Sequence, residues 1–282
     1  MKYIVIIPAH NEEQFLLQAL QSLVGQTLPP YQVIVANDNS TDKTKLIAEN
    51  FATKHPSFSM LNITSGAAHI PGSKVVNAFN RGLEVVNSNY DFVVKMDADV
   101  TLPENYFARI AEIFSQNPKT GIAGGLVYVQ NSGDWKYENV ADKEHVRGPV
   151  KSYTKACFNI IGGLRSTLGW DTLDELLARF NGFEVTIDNS LMIKHHRPTG
   201  TAYTSGAMKN HGAALFAMRY GLILTKLTAL KTSWRFKSFK LFLVFVWGYL
   251  RAWFNRIPRA VSAEEGRFIR AYRWKKILQK LW

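Results

Sequence analysis

The feature that most limits how this chain can fold is the alternation of apolar, β-rich runs with amphipathic stretches in its first hundred residues. Tyr3–Ile7 is a continuous apolar run, as expected of a strand covered on both faces. Asn11 is placed to cap a following helix. Glu12 and Glu13 suit the first turn of that helix, Phe15, Leu16, Ala19, Leu20 and Leu23 form its apolar face, and Gly25 can end it. Gln32–Ala36 reads as a second strand and residues 42–54 as a helix capped by Ser40 or Thr41. Phe58–Ile63 reads as a third strand, Ser73–Val86 as a helix and Phe92–Met96 as a fourth strand. Short links between such elements require right-handed crossovers, which predicts an α/β fold on a mainly parallel central sheet. Gly121–Val129 and Val185–Lys194 read as further strands, residues 131–150 as a polar stretch, and Asp171–Asn181 as a helix ended by Gly182.

Composition narrows the reading. At 282 residues, 46% hydrophobic and 20% charged, the chain suits one or two globular domains and is too apolar for a disordered one. Its single cysteine, Cys157, excludes an intrachain disulfide and any multi-cysteine zinc site, and fits a reducing compartment. The opening Met1–Ile7 run turns polar without a small-residue cleavage site, so it reads as a buried strand rather than a signal peptide. The best membrane-span candidate, Leu241–Leu250 between Lys240 and Arg251, falls well short of the roughly 20 apolar residues needed. Of 34 Lys/Arg and 22 Asp/Glu, residues 219–282 hold 15 and only Glu264 and Glu265. This asymmetry divides the chain into a neutral body, 1–218, and a basic tail, 219–282.

The tail reads as helix from 219 to 257, stopped by Pro258, with Trp234, Phe239, Phe242, Trp247 and Trp253 among its lysines and arginines. Residues 264–282 repeat the mixture. Basic residues with aromatic and aliphatic partners mark a helix on an anionic membrane surface. The same charge and aromatics also describe a nucleic-acid-binding protein, the non-enzymatic alternative.

In an open parallel sheet, ligands bind beyond the carboxyl ends of the strands. Here those ends are Pro8-Ala-His-Asn-Glu12, Asn37-Asp-Asn-Ser-Thr-Asp42 and Asp97-Ala-Asp99. Two carboxylates one residue apart in extended chain point the same way and suit Mg2+ or Mn2+. Standing alone, Asp97-Ala-Asp99 reads first as a capped turn before a helix opened by Pro103. Asp171 begins a helix, where the dipole keeps a carboxylate ionised. Trp170 suits either a core or a platform for the apolar face of a sugar, while Asp174 and Glu175 read as solvated charges. Of the adjacent His195 and His196, at most one faces a site, because neighbours on a strand point opposite ways. Arg197 suits either a diphosphate or a surface carboxylate.

Taken together, Ile6-Ile-Pro-Ala-His-Asn-Glu-Glu13, Val33-Ile-Val-Ala-Asn-Asp-Asn-Ser-Thr-Asp42, Gly72-Ser-Lys-Val-Val-Asn-Ala-Phe-Asn-Arg-Gly82, Lys95-Met-Asp-Ala-Asp99 and Gly169-Trp-Asp-Thr-Leu-Asp-Glu-Leu-Leu-Ala-Arg-Phe-Asn-Gly182 resemble glycosyltransferase family 2 over about residues 1–200. The resemblance implies the GT-A nucleotide-diphospho-sugar transferase fold, followed here by a basic amphipathic helical segment. It implies that Pro8, Ala9 and Glu12 border the nucleotide, Asp38 bonds the base, and Lys74 lies near base or diphosphate. Asp97 would contact ribose or sugar, Asp99 would bind the metal with His195 completing its shell, and Asp171 would deprotonate the acceptor hydroxyl. Asn37 and Asn39 replace the more usual Asp and Gly, Phe79 replaces an arginine of some relatives, and Trp170 stands where Glu is common. The expected activity is inverting transfer from a nucleoside diphosphate sugar, with a UDP-sugar as the expected donor and Mg2+ or Mn2+ as the cation. The expected acceptor is a lipid-linked or cell-surface glycan. The expected location is cytoplasmic, peripheral on the inner face of the cell membrane, with no nucleic acid. A nucleotidyltransferase of similar fold ranks lower, because the N-terminus lacks a glycine-rich nucleotide loop.

Overall fold

The computed structural model describes residues 1–64, 73–86, 89–131, 133–140, 143–197 and 205–279. The elements run β1 (Tyr3–Ala9), α1 (Leu16–Val24), β2 (Gln32–Asp38), α2 (Thr44–Lys54), β3 (Phe58–Ile63), α3 (Ser73–Glu84) and β4 (Phe92–Met96). After these come β5 (Val100–Thr101), α4 (Tyr106–Gln116), β6 (Thr120–Asn131), β7 (Asp134–Tyr137), β8 (Val150–Thr154), α5 (Lys155–Ile160), α6 (Trp170–Phe180) and β9 (Glu184–His195). Four helices close the chain: α7 (Ser205–Ala217), α8 (Leu222–Arg235), α9 (Phe239–Phe254) and α10 (Ala263–Leu278).

The chain divides into two compact units. The first comprises Met1–Ala68, Lys74–Leu164 and Asn181–Thr199. The second contains Arg165–Phe180 and the chain from Gly200 to Trp282, so it adds α6 and α7 to the basic tail.

The first unit is built on one sheet of order β3-β2-β1-β4-β8-β6-β9-β5, with β7 added to β6. It is mixed and largely parallel: the β3-β2-β1-β4 half and the long β6–β9 ladder are parallel, whereas β8, β7 and β5 pair antiparallel. β1 and β4 are almost wholly buried, as their unbroken apolar sequences require. Leu16, Ala19, Leu20 and Leu23 turn the apolar face of α1 into the same core. Tyr3 is sandwiched by Phe92 and Phe107, with ring centroids 4.9 and 4.5 Å away, and its hydroxyl donates to Leu28 O at 2.7 Å. The core thus buries a large aromatic without orphaning its polar tip.

Successive strands step outward from β1 to β2 to β3, and the chain then returns to the other side of β1 to form β4. That reversal makes the carboxyl ends of β1 and β4 the switch point of the sheet, where a crevice for ligand opens.

Several expectations need correction. Asn11 does not cap α1, which begins at Leu16; it adopts φ 56°, and its Oδ1 accepts from Thr41 N at 2.8 Å. The polar stretch 131–150 contains β7, which forms a hairpin with β6. The tail is not one helix to 257. It breaks at Arg219–Gly221 and at Phe236–Ser238, before Pro258 is reached.

In the second unit, α7 and α9 approach backbone to backbone. A Cβ on Gly212 would lie 2.0 Å from Phe245 O, and one on Gly248 would lie 2.1 Å from Lys209 O. Only hydrogen at these two positions permits the approach. Asp174 and Glu175 are buried, not solvated, at 2% and 7% exposure. The reason is that α6 is covered on several sides: Leu173, Leu176, Leu177 and Ala178 are buried with them.

Candidate active site

The switch point is assembled from three strand ends and the last residues of β9. The loops after β1 and β2 are laced together: Asn11 N donates to Ser40 Oγ at 3.0 Å, Glu12 N to Thr44 Oγ1 at 2.6 Å and Glu13 N to Asp42 Oδ2 at 3.1 Å. His10 Nδ1 bonds Asp38 O at 2.6 Å. Side chains at 40, 42 and 44 therefore satisfy the backbone donors that a turn and a helix start leave free. Pro8 and Ala9 register beside Ala36 and Asn37, which brings the two ends level. Asp38 is buried at the end of β2. Asn37 Nδ2 donates to Asn62 Oδ1 at 2.9 Å, and its own buried Oδ1 meets no hydrogen-bond donor among the described residues. Lys74 stands half-buried in the first turn of α3.

The acidic cluster follows β4. The antiparallel β5–β9 ladder sets Val100 opposite His195, which draws the imidazole to Asp99. His195 Nε2 lies 3.4 Å from Asp99 Oδ1, while Arg197 Nε donates to Asp99 Oδ2 at 3.0 Å. Arg197 Nη2 also pairs with Glu12 Oε2, joining the β1 loop to the cluster. Ligand atoms of Asp97, Asp99 and His195 all lie within 4.8 Å of one another. Two hard carboxylates and one imidazole at this spacing fit Mg2+ or Mn2+.

Of the two histidines, His195 is the one whose ring lies beside the carboxylates. His196 turns the other way: its ring stacks on Phe15 at 5.5 Å, meets Trp135 edge-on at 5.3 Å and bonds Thr101 Oγ1 at 3.2 Å. Its basicity is lowered by burial, with Asp99 acting in the opposite sense.

Lys95 is a residue that sequence reasoning missed. It lies on a strand otherwise apolar, is 2% exposed, and donates to Asp97 Oδ1 and, at 2.8 Å, to Gly148 O. Burial raises the Asp97 pKa, Asp99 raises it further, and Lys95 opposes both. The only signal in the sequence was a lysine inside a buried strand, which has to find a partner. Replacing Lys95→Met is expected to destabilise the first unit by about 2 kcal/mol, since the half-buried Asp97 carboxylate loses a charge-assisted hydrogen bond from a buried lysine. Lys95→Arg should recover most of that loss. Urea unfolding of both variants is the check, and a Lys95→Met midpoint equal to wild type would show that Asp97 draws its support from elsewhere.

Asp171 and Trp170 belong to the second unit. Asp171 is in the first turn of α6, as expected, and Trp170 is 7% exposed. Within that unit burial lowers the pKa of His211, and the Asp171 carboxylate raises it in partial compensation. His211 stacks on Phe245 at 6.2 Å.

The family model described as glycosyl transferase family 2 matches residues 4–163. Poly-beta-1,6-N-acetyl-D-glucosamine synthase of Staphylococcus epidermidis is 28% identical over 127 residues, which is 45% of this chain and 28% of that protein. The chain thus spans less than a third of that relative's length. Among solved structures, residues 1–349 of S. aureus TarS in complex with UDP-GlcNAc match with TM-score 0.57 at 18% identity, covering 76% of this chain and 66% of that one. The mannosyltransferase PcManGT of Pyrobaculum calidifontis, in complex with GDP-Man and Mn2+, matches with TM-score 0.56 at 15% identity, covering 76% and 62%. At these identities the structural likeness is one of fold, and the fold shared is that of GT-A transferases. The model match is the stronger finding, since it takes in more than half of the sequence, including β1, β2, β4 and the Asp97-Ala-Asp99 turn: the chain belongs to glycosyl transferase family 2.

Proposed function

We propose that this protein is an inverting glycosyltransferase that moves a sugar from a nucleoside diphosphate donor, a UDP-sugar by preference, to a hydroxyl of a glycan or lipid-linked acceptor. The observation that carries the reading is the Asp97–Asp99–His195 cluster at the switch point of the sheet, where a family 2 chain would receive the donor diphosphate. Two solved chains of like fold are complexes with UDP-GlcNAc and with GDP-Man and Mn2+, which favours a nucleotide sugar and a divalent cation here. Relatives named for polysaccharide and teichoic acid synthesis favour a glycan acceptor.

In this reading Pro8 and Ala9 border the nucleotide, Glu12 holds the ribose, Asp38 accepts from the base and Lys74 offsets diphosphate charge. The unpartnered Asn37 Oδ1 adds one more acceptor at that edge. Asp97 orients the ribose or sugar. Asp99 and His195 are the residues that would hold Mg2+ or Mn2+, which when bound supplies positive charge to the leaving diphosphate. Asp171 removes the proton from the acceptor hydroxyl as its oxygen forms a bond to the anomeric carbon and the bond to diphosphate breaks. A single displacement inverts that carbon. Trp170 is a weaker assignment to the acceptor, because it is buried.

Equilibrium binding of UDP- and GDP-sugars, each with and without Mn2+ or Mg2+, tests this. The expected result is binding of one nucleotide sugar that a chelator weakens at least about tenfold. A protein that binds no nucleotide sugar under any of these conditions overturns the reading.

A further inference from the structure

The basic tail divides into two parts that use their charge differently. Around α10 the arginines are engaged within the second unit. Arg165 pairs with Glu265 at 2.7 Å, Arg219 Nε donates to Val261 O at 2.9 Å, Arg270 Nη1 to Arg219 O at 2.7 Å, and Arg273 Nε to the Tyr220 hydroxyl at 2.9 Å. Ile269 is wholly buried, and Phe268 packs on Phe180 at 5.5 Å. The expectation that residues 264–282 meet a membrane is therefore narrowed, since much of that basic and aromatic surface is spent on packing.

The α8–α9 pair is the opposite case. Ile223, Leu227, Leu230 and Trp234 recur at i, i+4, i+7 and i+11, so they form a single stripe along α8, and all are exposed, Trp234 by 83%. Lys226 and Lys231 project on either side of that stripe. On α9 the exposed large apolar residues are Phe239, Leu243, Trp247, Trp253 and Phe254, again within one arc, with Lys240 and Arg251 along its edge. The two helices pack on each other through the remaining faces, where Ala229 and Phe245 are buried. Among the described residues no helix is long and apolar enough to cross a membrane. No acidic residue falls between Gly221 and Arg256.

We infer that the exposed faces of α8 and α9 dock in the plane of an anionic lipid leaflet. The aliphatic and aromatic stripes enter the boundary between headgroups and acyl chains, and the flanking lysines and Arg251 extend to lipid phosphates. Exposed apolar area on this scale calls for an apolar partner. The flanking cations select which one: a second copy of the same face would bring like charge to like charge, and nucleic acid offers nothing to Ile223, Leu227, Leu230 and Leu243. A bilayer takes the apolar stripe in its interface and the long basic side chains at its surface, with tryptophan preferred at the boundary. This deepens the membrane-surface expectation and does not depend on the donor chemistry.

The test uses the full chain and vesicles of equimolar phosphatidylglycerol and phosphatidylcholine, against phosphatidylcholine alone. Wild type should bind the anionic vesicles at least about tenfold more tightly. High salt should weaken that binding without abolishing it. Brominated lipid should quench tryptophan fluorescence. A stripe variant carrying Leu230→Gln, Trp234→Gln, Leu243→Gln and Trp247→Gln should lose about tenfold or more in vesicle affinity and most of the quenching, while its thermal unfolding stays that of wild type. A second variant, Lys226→Gln, Lys231→Gln, Lys240→Gln and Arg251→Gln, should lose the preference for anionic lipid. The inference is overturned if the folded stripe variant binds as wild type does. It is equally overturned if wild type binds single-stranded nucleic acid but no vesicle, or if it forms a dimer that the stripe variant splits and binds no vesicle. None of these readouts involves sugar transfer, so failure here is distinct from failure of the proposed activity.

Discussion

Asp99→Asn is expected to cut cation-dependent donor binding by about 100-fold or more and to leave the fold in place. The substitution keeps size and removes one hard anionic group from the three that could hold a cation. Changes merely adjacent to a metal ligand cost about 10- to 100-fold in affinity, so loss of a charged ligand itself should reach the upper end. The position tolerates the change because an asparagine oxygen can still accept from Arg197 Nε, which lies 3.0 Å from Asp99 Oδ2, and Arg197 keeps its second partner, Glu12. Isothermal titration with Mn2+ and a nucleotide sugar reads the affinity, and circular dichroism reads the fold. Normal turnover and normal cation affinity in this variant would remove Asp99 from the site. Loss of cation affinity with transfer retained would make the reaction metal-independent in this chain.

The parts of the fold legible in the sequence were those where one local rule decides the outcome. Phe58–Ile63 and Phe92–Met96 coincide with β3 and β4, because apolar runs of this length bounded by polar turns have few alternatives. The stripe of α1 was visible for the same reason. Val150–Thr154 was not visible as β8, since Val-Lys-Ser-Tyr-Thr carries a polar residue at nearly every second place on both faces. It is a central strand nonetheless, and its fully buried Lys151 lies opposite Lys95 of β4. Only the tertiary neighbourhood makes a buried lysine tolerable.

Other misses have the same origin in non-local structure. The Asn11 side chain is drawn to Thr41 of the next loop, a partner thirty positions away that no cap rule anticipates. The tail breaks at Arg219 and Lys237, which take φ values of 56° and 49° at helix ends where glycine is usual. Each closes its helix with a long-reach bond, Tyr220 N to Leu215 O at 3.1 Å and Ser238 N to Ser233 O at 3.0 Å. Basic side chains at those ends suit the negative end of the helix dipole, so the breaks look like any other lysine or arginine of a basic helix. In the site, the carboxylate pair was legible because its spacing is local. The partnership of Asp99 with His195 was legible only through the resemblance, and the exclusion of His196 required the β5–β9 register.

Asp171→Asn is expected to reduce transfer by about 10³-fold while donor affinity stays within about twofold of wild type. General-base assistance is worth about 10²- to 10⁴-fold, and the amide has no basic oxygen to accept the acceptor proton. The residues proposed for the donor, Glu12, Asp38, Asp97, Asp99 and His195, all belong to the first unit, whereas Asp171, the proposed base, belongs to α6 of the second. Donor binding and proton removal should therefore separate under mutation. The helix loses a favourable charge in its first turn, which costs about 0.3–1 kcal/mol and does not unfold it. An internal control comes from His211, whose imidazole is held low by burial and partly restored by the Asp171 carboxylate. With that carboxylate gone, His211 should titrate lower still, and an NMR titration would show the shift in a folded variant. A variant that loses transfer, keeps donor affinity and lowers the His211 titration matches a base on the acceptor side. One that loses donor affinity, or keeps its rate with the His211 shift present, assigns proton removal to a different residue.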